Sequence, residues 1–186
     1  MTGGFSRGQW LVVSGQVFHY PFAIAHYPLS IAAPESCFIC NTMTHVCEII
    51  TQWMNPILCA LLLAAILLKR KDHGLAFIVL SAVSIAVAAV LAESGKQHVV
   101  LPGDPTFPSG HQTFATATLT CLIWRDRRWL VPAVPVAGLM GFSLVVCHYH
   151  LPIDVVGATV LGPIPPSLLI GFWQAKLSQD RRNAVG

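Results

Sequence analysis

Charge is what this chain has least of. Charged residues make up 10% of its 186 residues against 54% hydrophobic, whereas a soluble domain carries about 25% charged residues. So few polar groups cannot cover a globular surface, which excludes a water-soluble domain and makes lipid the solvent. Repeats, low-complexity tracts and a soluble second domain are missing from the sequence as well. The six cysteines show no metal-binding spacing. Cys59 and Cys121 read as small apolar packing residues inside spans, and Cys37-x-x-Cys40, with Cys47 nearby, reads as a structural bridge or free thiols rather than a redox motif. Nor does a compact apolar run end in a small-residue cleavage site near the N-terminus, which argues against a secretory signal.

What is present is a series of long apolar stretches. A membrane-spanning helix needs roughly 20 apolar residues, and four stretches qualify: Val46 to Leu68, Gly74 to Ala92, Leu130 to Val146 and Leu151 to Trp173. A fifth, Gly110 to Trp124, is short and rich in Thr and Ala. Threonine hydroxyls can bond to the helix's own carbonyls and small residues suit close helix packing, so it is counted as a span. Gln9 to Ala33 is interrupted by Gly15, Pro21 and Pro28, and reads as a kinked first span, as an interfacial piece with Trp10, Phe18, Tyr20 and Tyr27 at headgroup level, or as a loose extension. The expected fold is an all-α, multi-pass membrane helix bundle of five or six spans. Its parts are an N-terminal segment over 1–45, a catalytic bundle over 46–175 and a cytoplasmic tail over 176–186.

Basic residues orient the bundle. Lys69-Arg70-Lys71, Arg125 with Arg127 and Arg128, and Lys176 with Arg181 and Arg182 each follow a span. Threading the five spans alternately puts all three clusters on one face, which the positive-inside rule makes cytoplasmic. The opposite face receives Glu93 to Ser109 and Cys147 to Pro152, with Lys96 as its one forced cation among 11 Lys and Arg residues.

Two motifs on that face carry chemistry. Phe107-Pro108-Ser109-Gly110-His111 leads from an extended loop into a helix, so free N–H groups and the positive helix end point at one spot, and Gly110 lets an anion approach the backbone. Ser109 alone would be an ordinary N-cap; His111 beside it shifts the weight toward a phosphate site. His148-Tyr149-His150-Leu151-Pro152-Ile153-Asp154 places His150 and Asp154 four residues apart on one helical face. The carboxylate can accept the Nδ1–H of the imidazole and leave Nε2 as a nucleophile, with Pro152 tolerated in the first turn. Ionisable pairs at span ends are expensive and usually functional.

Lys96, Pro108-Ser109-Gly110-His111 and His150-x-x-x-Asp154-Val155-Val156-Gly157, in this order at span edges, resemble the type 2 phosphatidic acid phosphatase superfamily of membrane lipid phosphatases. The resemblance covers Glu93 to Gly171. It implies that His150 is the nucleophile forming a phosphohistidine, that Asp154 orients it and that His111 is the general acid. Lys96, Ser109 and Gly110 would bind the phosphoryl oxygens. It implies further that neither metal nor other cofactor is needed, that the substrate is a phosphorylated lipid in the bilayer, and that six spans are usual. Two departures stand out. Gly103-Asp104 stands where the family has Arg-Pro, and Ser143-Leu144 where it has Ser-Arg. Both phosphate-clamping arginines are therefore missing, although charge stabilisation is a major term in phosphoryl transfer.

His148 and His98 are the available substitutes. His148-x-His150 with Gly103-Asp104 upstream is also similar to the sphingomyelin synthase branch, in which a lipid hydroxyl rather than water takes the headgroup. A divalent metal held by His98, His111, His148 and Asp154, or a non-catalytic lipid-binding relative, stays open as a minor reading. Nucleic acid is not an expected partner. The expected location is a bacterial inner membrane, with the site facing the periplasm or exterior.

Overall fold

The computed structural model describes residues 10–13, 16–19, 38–68, 74–98 and 106–184, with side chains from Thr42 onward. The chain divides into two units, Met1–Cys37 and Phe38–Gly186. In the first, β1 (Trp10–Val13) and β2 (Gln16–His19) pair antiparallel, with Val13 opposite Gln16 and Trp10 opposite His19. A helical span over this part of Gln9 to Ala33 is therefore corrected to a hairpin. The reason is local: Trp-Leu-Val-Val and Gln-Val-Phe-His are β-branched and aromatic runs, separated in sequence by the turn-forming pair Ser14-Gly15. The rest of that stretch, Cys37, Lys69-Arg70-Lys71 and Gly103-Asp104 lie outside the described residues, and so does the side chain of Cys40.

The described residues of the second unit form helices joined by short turns, as expected. The unit contains α1 (Phe38–Leu68), α2 (Gly74–Gln97), α3 (Gly110–Arg125), a 3-10 turn at Arg127–Trp129, α4 (Leu130–Val146), α5 (Pro152–Leu161) and α6 (Ile164–Asn183). Among the described residues four stretches are long and apolar enough to cross a membrane: Thr42–Leu68, Gly74–Gln97, Arg127–Val146 and Pro152–Asn183. Along them Leu63, Val83, Val131, Phe142 and Phe172 are exposed, an apolar exterior that fits a lipid solvent. The protein is a multi-pass membrane protein.

The Thr-rich α3 is the axis of the bundle and touches each of the other five helices. At 16 residues it is about 24 Å long, short of the roughly 30 Å hydrocarbon core. It can be both short and polar because its neighbours, rather than lipid, surround it. Thr113, Thr116, Thr118 and Thr120 each donate their hydroxyl to the carbonyl four residues back, at 2.7–2.9 Å. Gln112, 1% exposed, joins three helices by donating Nε2 to the Ala137 carbonyl at 3.1 Å and to Thr159 Oγ1 at 3.0 Å.

The expected single span Leu151 to Trp173 is two helices, broken at Gly162-Pro163. Proline ends the hydrogen-bond ladder there, and the break is pressed onto α3. A Cβ on Gly162 would collide with Thr116 Oγ1 and the Thr113 carbonyl. Helix α6 then runs on to Asn183, because Lys176, Leu177, Gln179 and the two arginines at 181 and 182 are good helix formers.

At the far end of α3, Arg125 is buried, donates Nη2 to the Ile66 carbonyl at 3.2 Å and stacks 5.6 Å from the Phe77 ring centroid. Ile66 lies in the last turn of α1, whose carbonyls have no intrahelical donor. Replacing Arg125 with Leu is expected to lower stability by about 2 kcal/mol, the worth of a charged hydrogen bond. Thermal unfolding in detergent measures this, and activity per folded molecule should be retained because the residue is about 21 Å along α3 from His111.

Candidate active site

The two sequence motifs meet at one end of the bundle, where α3 and α5 begin and α2 and α4 end. Asp154, in the first turn of α5, is fully buried. Its Oδ2 accepts from the Leu151 N–H at 3.0 Å and from the Thr106 hydroxyl at 2.9 Å, and lies 3.2 Å from His150 Nδ1. A carboxylate can only accept, so the imidazole donates from Nδ1; in the neutral imidazole it is then Nε2 that carries the lone pair. The expected His150–Asp154 pair is thus present and is held from three sides. Thr106 was not read from the sequence. It sits 48 positions from Asp154, and only the fold brings the two together.

The turn before α5 aims His150. His148 has a left-handed φ of 55°, and the N–H groups of Tyr149 and His150 both bond to the Leu144 carbonyl, at 3.0 and 3.3 Å. The chain thereby reverses tightly at the end of α4. His148 itself is exposed and does not line the cavity described below, so the geometry assigns it a turn rather than a phosphate contact. Since a left-handed residue costs roughly 1–2 kcal/mol unless it is glycine, His148→Gly should raise the unfolding temperature and preserve turnover. A fall of tenfold or more in kcat/KM would instead restore it as a phosphate ligand.

The anion cradle differs from the expectation in detail. Ser109 is fully buried, its N–H donates to the Asp154 carbonyl at 3.3 Å, and its hydroxyl caps α3 through the Gln112 N–H at 3.5 Å. It fastens the two motifs together rather than opening onto a ligand. The N–H groups of Gly110 and His111 are the first-turn donors with no acceptor among the described residues, and Lys96 Nζ lies 3.3 Å from where a Gly110 Cβ would sit. Lys96 is not the lone cation expected, because Glu93 pairs with it at 3.2 Å across one turn of α2. An exposed pair of this kind contributes little, so a phosphate can compete for the ammonium.

His111 and His150 line one cavity of about 550 Å³, together with Glu48, Thr51, Gln52, Leu144 and Tyr149. His111 is within electrostatic reach of both His150 and Lys96. Phe107 is wedged against α5, since a Cβ on Gly157 would strike its ring, and this fixes the loop that carries Thr106 and Ser109. Among the described residues no group of three or more His, Cys, Asp or Glu is arranged to hold a metal ion. The α1 residues Glu48, Thr51 and Gln52 escaped the sequence reading, although their helical spacing was visible.

Arranged like this, the site can present a backbone and ammonium cradle to a phosphate, a nucleophilic imidazole to its phosphorus and a second imidazole to its leaving group. Residues 89–165 match the sequence profile of the PAP2 superfamily. The undecaprenyl-diphosphatase BcrC of Bacillus subtilis (strain 168) is 35% identical over 77 residues, 40% of this chain and 37% of that relative. The chain thus matches little more than a third of that relative's length. No solved structure matches the chain. The matched segment contains Lys96, the Ser-Gly-His turn and the His150–Asp154 pair, so the residues of the site fall within the part of the chain that is similar to the PAP2 superfamily.

Proposed function

We propose that the protein is an integral membrane lipid phosphatase, hydrolysing a phosphomonoester or diphosphate of a lipid without metal through a phosphohistidine. The observation that carries this reading is the buried Asp154 carboxylate 3.2 Å from His150 Nδ1, which orients the imidazole at the wall of the cavity that His111 also lines. The phosphate settles among the Gly110 and His111 amides and Lys96. His150 Nε2 attacks phosphorus in line, and the bond to the leaving oxygen breaks as His111 donates its proton. Water deprotonated by His111 then attacks the phosphohistidine, releasing inorganic phosphate and restoring the imidazole.

The relative's name makes a polyprenyl diphosphate one substrate to try, beside phosphatidate and phosphatidylglycerol phosphate. Arg125 ends α3 opposite His111 and Arg127 and Arg128 follow it, and the positive-inside rule then favours a site on the outer face. Release of inorganic phosphate by the purified protein in excess chelator is the expected result. Transfer of the phosphorylated headgroup to an acceptor lipid without phosphate release would favour the transferase reading that the missing arginines keep in view.

A further inference from the structure

Helix α1 lies outside the segment that matches the family. Between Val46 and Leu68 its only Glu, Thr, Gln and Asn residues are Glu48, Thr51, Gln52 and Asn55. The i, i+3, i+4, i+7 spacing puts all four on one face. Three of them line the cavity of His111 and His150, and Asn55, a turn deeper, donates Nδ2 to the His111 carbonyl at 3.4 Å. Polar groups inside a span are costly, and they are kept where they act.

That face offers mainly acceptors. Pro56 lies inside α1 and has no N–H to return to the Gln52 carbonyl four residues back. Gln52 itself lines the cavity, so the carbonyl that Pro56 leaves without a helical donor belongs to a residue of the cavity wall. Asn55 Oδ1 is buried with no hydrogen-bond partner. Thr51 donates its proton to the Cys47 carbonyl at 2.9 Å, which leaves the hydroxyl as an acceptor. Glu48 accepts only; its contact with His45, 3.5 Å on the exposed side, is of the weak surface kind. The Gln52 amide and the Tyr149 hydroxyl are the counterbalancing donors, and no Lys or Arg is among the lining residues.

Resting on the phosphatase reading above, we infer that the polar face of α1 is a subsite for a hydroxyl group carried next to the scissile phosphate, and that its carboxylate discriminates against a second phosphate. A hydroxyl supplies the donor this wall lacks. In a diphosphate the terminal phosphate is the one attacked, and the inner phosphate that leaves with the lipid brings acceptors and negative charge to this wall of acceptors and a carboxylate.

Two substrate pairs isolate the two halves of the idea in purified full-length protein. Lysophosphatidate and its 2-deoxy analogue, which keeps the same acyl chain, differ by one hydroxyl near the phosphate, and farnesyl phosphate and farnesyl diphosphate by one phosphate. Lysophosphatidate should be preferred about tenfold, the equivalent of one hydrogen bond, with the difference in KM rather than kcat. Pro56→Ala, which returns an N–H to the Gln52 carbonyl, should reduce that preference several-fold. Glu48→Gln should lower KM for the diphosphate about fivefold and leave the monophosphate nearly unchanged. Ratios near one in the wild type, or ratios that neither substitution moves, overturn the subsite. The same four lipids are titrated onto His150→Ala protein, where binding is read without turnover. If wild type turns over none of them while the binding preferences stand, the phosphatase reading fails and the subsite survives; loss of the binding preferences overturns the subsite itself.

Discussion

Replacing His150 with Ala should abolish turnover, with a fall of at least about 10⁴-fold in kcat, since no other lone pair in the cavity is aimed and activated in the same way. Among the described residues His111 is the one other imidazole lining that space, and none of them places a buried carboxylate behind it, so it is not oriented as a nucleophile. The fold should survive the change, because His150 lies at the cavity wall and Asp154 keeps the Leu151 N–H and the Thr106 hydroxyl as partners. Single-turnover experiments with radiolabelled lipid should trap an acid-labile phosphoprotein in the wild type and none in the variant. Retained turnover, or a trapped adduct in the variant, would remove His150 from the nucleophile's role.

That pair was legible because its geometry is local. Four residues on a helix share a face in any context, so the sequence alone could bring His150 to Asp154. The Thr-rich α3 was legible for a similar reason, its hydroxyls finding carbonyls one turn back. What the sequence could not show is how these local pieces meet. The Ser109 amide bonds to the Asp154 carbonyl, and Thr106 to the Asp154 side chain. Both contacts cross more than forty positions, and they turn Ser109 from an expected phosphate ligand into a fastener between motifs.

Other differences come from averaging. Hydropathy summed from Leu151 to Trp173 is high throughout, so the Gly162-Pro163 break is invisible to it, although the proline that makes the break was in plain view. Lys96 looked unpaired because its loop was read for orientation rather than as the last turn of α2, where Glu93 is three residues back. The polar face of α1 was present as spacing. It was passed over because a long apolar run draws attention to the residues that make it apolar, and the few exceptions at 48, 51, 52 and 55 are the ones that reach the site.

Changing Asp154 to Asn should cut kcat roughly 10³-fold and leave KM within about twofold, by the logic that applies to any carboxylate orienting a catalytic imidazole. Oδ2 serves three donors at once, from Leu151, Thr106 and His150. An amide oxygen can take the same place, so the loop and the buried site stay satisfied and the protein remains folded. The difference appears on the imidazole. If His150 Nε2 bonds to phosphorus the ring becomes cationic, and a neutral amide at the fully buried position 154 gives that charge no counterion. If the amide turns its nitrogen toward His150 instead, Nδ1 must accept, the proton moves to Nε2 and the nucleophile is lost. Either orientation slows the first step and neither disturbs the Gly110 and His111 amides that hold the phosphate. Asp154→Ala, by contrast, strands buried donors and should lower stability by about 1–3 kcal/mol as well. Unfolding midpoints measured beside the kinetics separate the two effects. An Asn variant with a wild-type midpoint and wild-type kcat would show that Asp154 only shapes the loop.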